Sequence, residues 1–233
     1  MRQLALDFPV SPPPALENFV AGRNAELMQA LRRLASAQQA ERFIYIWGPR
    51  GCGRSHLLRA TVSALHDREA GAAYVACAAG AGLPAAVERV NCVALDDVDR
   101  LDPDAQLAVF HLYNALRERD GALLASGPAP PVQLRLRADL VTRLGWGLVY
   151  QVNALADEEK ERALVEHAAA RGFRLAPEVC GFLMTRTRRD MPALLALLEA
   201  LDRYSLETRR PVTVPLAREL LSAAGKRDPG GAG

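Results

Sequence analysis

An apolar run, Phe43-Ile-Tyr-Ile-Trp47, leads straight into Gly48-Pro49-Arg50-Gly51-Cys52-Gly53-Arg54-Ser55, and an amphipathic stretch follows. This order constrains the fold more than any other feature of the chain. The spacing is that of a P-loop, with Arg54 where lysine is usual. Glycines let backbone N–H groups turn inward around a phosphate, and the helix that follows presents its positive end. A buried strand over 43–47 and a helix from Ser55 to Leu65 are therefore expected, joined by a phosphate-binding turn. His56, next in the helix, borders the same site. Arg54 keeps the positive charge but as a planar fork, suited to a β-phosphate and less so to a transferring γ-phosphate.

The rest of the chain repeats the alternation. Ala73–Cys77, Cys92–Leu95, Ala122–Ala125 and Leu148–Val152 are four further strand candidates. Helices are expected over Pro103–Arg117, capped by Asp102 or its neighbour, and over Ala138–Leu144. Strands that alternate with helices imply crossover connections, hence an α/β fold with a five-stranded parallel sheet flanked by helices. After Asn153 the pattern changes. Asp157–Arg171, Pro177–Thr187, Met191–Leu206 and Pro215–Ala224 read as helices, a small all-helical unit of roughly 70 residues. The boundaries that result are residues 16–155 for the α/β domain, 156–224 for the helical domain and 225–233 for a Gly-rich tail. Before them stand an N-terminal peptide, 1–8, and a proline-rich spacer, 9–15, stiff and extended.

The third strand candidate ends in Asp96-Asp97. With a P-loop upstream this is a Walker-B arrangement. Ser55 and Asp96 are the expected Mg²⁺ partners, and Asp97 would orient an attacking water. Aspartate is shorter than the glutamate common at the second position, so slow intrinsic hydrolysis is expected.

The 233 residues include 29 basic and 27 acidic side chains, a net charge of +2, and all the basic ones but Lys160 and Lys226 are arginine. So small a charge does not by itself imply nucleic-acid binding. Cys52, Cys77, Cys92 and Cys180 have no metal-ligand spacing and read as reduced thiols. A signal-peptide pattern is absent, and the uncharged stretch 70–87 is interrupted by Gly80, Gly82 and Pro84, so no membrane span is expected.

The P-loop, the Asp-Asp strand and the C-terminal helical lid resemble the AAA+ ATPases related to the bacterial initiator DnaA, and among them the small Hda-type regulatory inactivators, over nearly the whole chain. Leu16-Glu-Asn-Phe-Val-Ala-Gly-Arg-Asn24 is similar to the segment that wraps adenine in these proteins. Leu140-Val-Thr-Arg-Leu-Gly-Trp-Gly147 resembles the box that carries the arginine finger, which implies that Arg143 acts in trans. Arg189-Asp-Met191 resembles sensor 2 and implies that Arg189 leans over the nucleotide phosphates. At the sensor 1 position stands Ser126, without the Asp-Arg that often follows. The resemblance implies ADP or ATP with Mg²⁺ as ligand.

Gln3, Leu4, Leu6 and Phe8 lie in a peptide tethered by the spacer, with the three hydrophobes on one side if extended. It resembles the peptides that bind the DNA polymerase III sliding clamp (β subunit). The implied partners are thus the clamp and DnaA, with DNA contacted only indirectly or weakly, and a homodimer is possible. The implied place is the cytoplasm, at the replisome. Two readings follow. One is a clamp-associated regulator that stimulates DnaA's ATP hydrolysis and represses re-initiation. The other is a stand-alone AAA+ ATPase acting as an initiator or helicase loader. An initiator would need a DNA-reading helix-turn-helix after the lid, and only the short tail from Gly225 follows, so origin recognition is not expected.

Overall fold

In the computed structural model the described residues are 13–38, 41–66, 71–186 and 191–225. The peptide with Gln3, Leu4, Leu6 and Phe8 lies outside them, as does Arg189. The chain divides into two compact units, one from Pro13 to Ala154, the other containing the helices after Leu155.

In the first unit, five strands, β1 (Phe43–Trp47), β2 (Ala72–Ala76), β3 (Cys92–Asp96), β4 (Ala122–Gly127) and β5 (Leu148–Gln151), form one sheet in the order β2-β3-β4-β1-β5. Every pairing is parallel. β3 and β4 are buried at every position, whereas the edge strands β2 and β5 are only partly covered. Covered on both faces, central strands carry continuous apolar runs. That is why Cys92–Asp96 and Ala122–Gly127 are legible without alternation.

Alternation still assigns the two faces. Ile44, Ile46, Cys92, Ala94, Ala122 and Leu124 pack with α1 (Ala25–Ala35) and α2 (Arg54–His66). Tyr45, Val93, Leu95, Leu123 and Ala125 pack on the other face with α3 (Pro103–Glu118) and α4 (Ala138–Trp146). The Asp102 carboxylate caps α3 by accepting the Ala105 N–H at 2.9 Å, with Pro103 at the first helical position. The N–H groups of Ala105 and Gly80 hold the Asp102 carboxyl below its usual value.

The second unit consists of α5 (Asp157–Ala170), α6 (Pro177–Arg186), α7 (Met191–Thr208) and α8 (Val214–Gly225). Leu164, Leu183, Leu194, Leu198, Leu201, Leu216 and Leu220 meet in its core. Arg171 pairs with Asp202 at 2.9 Å. All four cysteines are free and buried. No described helix is long and apolar enough to cross a membrane.

α1 is not among the helices expected from the sequence. Its buried residues Leu27, Met28, Leu31 and Leu34 recur at helical spacing, so the signal was present. β2 begins and ends one residue earlier than expected, as an edge strand with weak patterning does.

Candidate functional site

β1 ends at Trp47, between Gly127 of β4 and Gln151 of β5, and the chain leaves the sheet there. Gly48 is pressed against the end of β5, where a Cβ would stand 2.5 Å from the Val152 carbonyl oxygen. Pro49, Arg50 and Gly51 are exposed, Cys52 is buried, and Gly53 turns the chain with φ +103°. A Cβ at Gly53 would meet the Phe19 ring at 2.6 Å. α2 starts at once, with Ser55 exposed on its first turn. Glycine here therefore serves both the conformation and the close approach. Gly53→Ala should cost about 2–3 kcal/mol, strain plus overlap. Gly51→Ala, also left-handed at φ +81° but facing open space, should cost about 1 kcal/mol. Thermal denaturation of the two variants checks the order, and equal melting temperatures would contradict it.

The carboxylates lie across from this turn. Parity puts Asp96 and Ser126 on the α2 face, as it does Tyr74. Asp96 is 5% exposed. Its Oδ2 accepts the Tyr74 hydroxyl at 2.7 Å and its Oδ1 the Ser126 hydroxyl at 2.5 Å. Burial and this bond push the Tyr74 phenol up to about 12. The Arg59 guanidinium lies 4.7 Å from the Tyr74 ring centroid.

In extended backbone Asp97 would point to the opposite face. Instead it adopts φ +57°, ψ +57°, its N–H donating to Ser126 Oγ at 2.9 Å. Aspartate tolerates this left-handed conformation better than most residues. The turn brings its Oδ1 within 3.0 Å of Arg54 Nη2. Burial pushes the Asp97 carboxyl up, and the Arg54 charge pulls it back only in part. Arg54 itself is 8% exposed, and its Nη1 is buried without a hydrogen-bond partner.

Ser126 sits between the two aspartates. Fully buried, its hydroxyl ties Asp96 to Asp97. Tyr74 was not foreseen. It faces Ala94 in the β2–β3 register, two residues from the Asp96 pair on the same face, and only the strand order places it there.

The segment before α1 crosses the start of α2. The Ala15 carbonyl is 3.1 Å from His56 Nε2, and the Phe19 and His56 rings lie 5.8 Å apart. Burial holds the His56 ring below its usual value, so the imidazole is neutral at neutral pH. Asn24, buried, donates to the Asn153 carbonyl at 2.9 Å and accepts the Asn153 N–H at 2.7 Å. This pair fastens the segment beyond the end of β5.

The turn without room for Cβ atoms at 48 and 53, the helix N-terminus and the unpartnered Arg54 Nη1 fit a phosphate group. In a bound nucleotide the loop and Arg54 would hold the phosphates, with Ser55 and Asp96 as the metal's partners. Leu16 to Asn24 and His56 would border the base.

Arg143 lies elsewhere. α3 runs from the end of β3 back to the start of β4, and Asn114 and Arg117 are on its last turns. Arg143 Nε donates to Asn114 Oδ1 at 3.2 Å. α4 ends as β5 begins, level with Ile44 of β1. Arg143 therefore sits where strands start and the P-loop where they end, about a strand length of ~16 Å apart.

A parallel sheet in this order with a P-loop after its first strand defines an AAA+ unit. Residues 157–221, the helical unit, match the family description "Hda, lid domain". A Haemophilus influenzae protein, described only as uncharacterized, is 35% identical over 229 residues, 95% of this chain and 99% of its own length. The helical unit thus carries an Hda lid domain, and the chain is an Hda-like, DnaA-related AAA+ protein. Its fold is similar to that of domain III of the Thermotoga maritima replication initiation protein DnaA, with TM-score 0.69 and 21% identity over 92% of this chain and 98% of that one. AMPPCP-bound DnaA from Aquifex aeolicus gives TM-score 0.65 and 21% identity over 87% of this chain and 71% of that one.

Proposed function

We propose that this protein is a clamp-associated regulator that binds ADP or ATP with Mg²⁺ and stimulates ATP hydrolysis by DnaA, so repressing re-initiation of replication. The observation that carries the reading is the separation of Arg143 from the chain's own P-loop. An arginine at the opposite end of the sheet is out of reach of the chain's own nucleotide site, which supports a role toward a nucleotide held by another molecule. The Arg54–Asp97 pair supports the same reading, because it occupies the residue that would orient water for hydrolysis by the protein itself. The protein then acts as a catalytic partner with little turnover of its own. Arg189 is assigned to the nucleotide phosphates by its match to sensor 2 in the sequence alone.

Phosphate release from ATP-loaded DnaA tests this, measured with and without the protein and DNA-loaded clamp. Acceleration only with both present is the expected result. Rapid ATP turnover by the purified protein alone would favour a stand-alone ATPase.

Docking on the clamp is assigned to Gln3, Leu4, Leu6 and Phe8. Burying three hydrophobes contributes roughly 1.5–3 kcal/mol each, less the cost of ordering a tail, which leaves micromolar-range affinity of roughly −8 kcal/mol at best. A homodimer docked on a ring with several grooves would bind more tightly through effective concentration. Deleting residues 1–8, or Leu6→Ala with Phe8→Ala, should abolish binding to immobilised clamp without changing melting temperature or ADP binding. Undiminished plasmon-resonance signals from the truncated protein would reject the tail as the docking element.

A further inference from the structure

Trp146 is 51% exposed, yet its ring is not bare. The Arg143 guanidinium carbon lies 3.9 Å from the ring centroid, and that of Arg117, from the last turn of α3, lies 5.2 Å from it. Asn114 fixes Arg143 through Nε. Together Asn114, Arg117, Glu118 and Arg143 line an open recess of about 500 Å³. Among the described residues neither guanidinium makes an ion pair, whereas Arg54, Arg137, Arg171 and Arg210 all do. Two like charges on one ring repel each other. The π-face offsets part of that cost, and an anion between the forks would offset the rest.

We infer that Trp146 is a shared seat for two arginines, and that Arg117 is a second cation which this surface presents, beside Arg143, to the phosphates of a nucleotide bound by DnaA. The inference rests on the proposed trans role of Arg143 and adds a residue to it. The charge of a transferring phosphoryl group is spread over three oxygens. One fork covers two of them at most, and a neighbouring fork completes the neutralisation. A nucleic-acid backbone is the less fitting occupant. The ring a base would stack on is already taken by guanidinium.

The roles of the three residues differ. Arg143 and Arg117 touch the phosphates, whereas Trp146 is a positioning residue that acts through them. Trp146 lies at the surface, so replacing it leaves the core intact.

The test is single-turnover hydrolysis by ATP-loaded DnaA with clamp on DNA and saturating variant protein. Arg117→Ala should lower the saturating rate roughly tenfold to a hundredfold, the loss of one charge-assisted contact. Arg117→Lys should recover only part of it, because a point charge lacks the fork. Trp146→Phe should keep most of the rate and Trp146→Ala should lose it. For both Trp146 variants the melting temperature and ADP affinity stay unchanged. If Arg143→Ala fails to reduce stimulation, the underlying reading falls. If Arg143→Ala abolishes it and Arg117→Ala runs at the full rate, the second cation is rejected while the finger stands. A normal rate for Arg117→Ala together with weakened binding of single-stranded DNA in fluorescence polarisation would assign the recess to nucleic acid and overturn the inference.

Discussion

Replacing Arg143 by alanine is expected to abolish the stimulation of DnaA's ATP hydrolysis, a fall of roughly 10³–10⁵ in rate, the worth of an arginine supplied in trans to phosphoryl transfer. The loss should be confined to that step. α4 is anchored by Leu140 and Leu144, both buried, and not by Arg143, which is half-exposed. Removing its contacts with Asn114 and Trp146 should change stability by no more than about 1 kcal/mol. The nucleotide site, at the other end of the strands, should bind ADP as before. Arg143→Lys should rescue poorly, since an ammonium does not reproduce the planar fork. Two nearby arginines are possible substitutes if Arg143→Ala stimulates normally. Arg137 is already held by Asp139, through Nη2 at 2.9 Å. Arg135 would then be the next to replace.

The P-loop and the central strands were legible in the sequence for physical reasons. Strands covered on both faces are written as unbroken apolar runs, and a left-handed turn that admits no Cβ is written in glycine. The Asp96-Asp97 pair was legible as a unit, but its partners were not. Arg54 and Asp97 meet because the parallel order sets the ends of β1 and β3 on one side of the sheet with β4 alone between them, which no local pattern records. The direction of Ser126 depends on strand parity together with the end of β4, two residues beyond the expected one. Asn24 and Asn153 are separated by nearly the length of the first unit, and nothing local marks either as the other's partner. α1 is a different case. Its apolar spacing, Leu27, Met28, Leu31 and Leu34, is readable in the sequence itself.

A second large effect is expected at Arg54, and its sign separates two roles for Asp97. Arg54→Ala removes the fork that faces the loop. Losing two charge-assisted hydrogen bonds, each worth ~1.5–3 kcal/mol, should weaken ADP binding roughly a hundredfold or more in calorimetry. Asp97→Asn should act in the opposite direction if Asp97 is the counter-ion of Arg54. The uncharged side chain no longer competes with phosphate for the guanidinium, so nucleotide binding should tighten, by up to roughly tenfold for a partly exposed pair. The pH dependence carries the same sign. Burial raises the Asp97 carboxyl above its usual value, so as pH falls this group takes up its proton before an ordinary aspartate does. Arg54 is then released, and ADP affinity should rise in the wild type relative to Asp97→Asn, in which no such group titrates. A water-orienting role makes another pattern. Asp97→Asn would then leave affinity unchanged at every pH and eliminate the slow hydrolysis of ATP by the protein alone. Tighter binding with hydrolysis undiminished would assign Asp97 to holding Arg54 in the nucleotide-free site, because a residue needed only as a counter-ion is one whose loss the bound phosphate makes good.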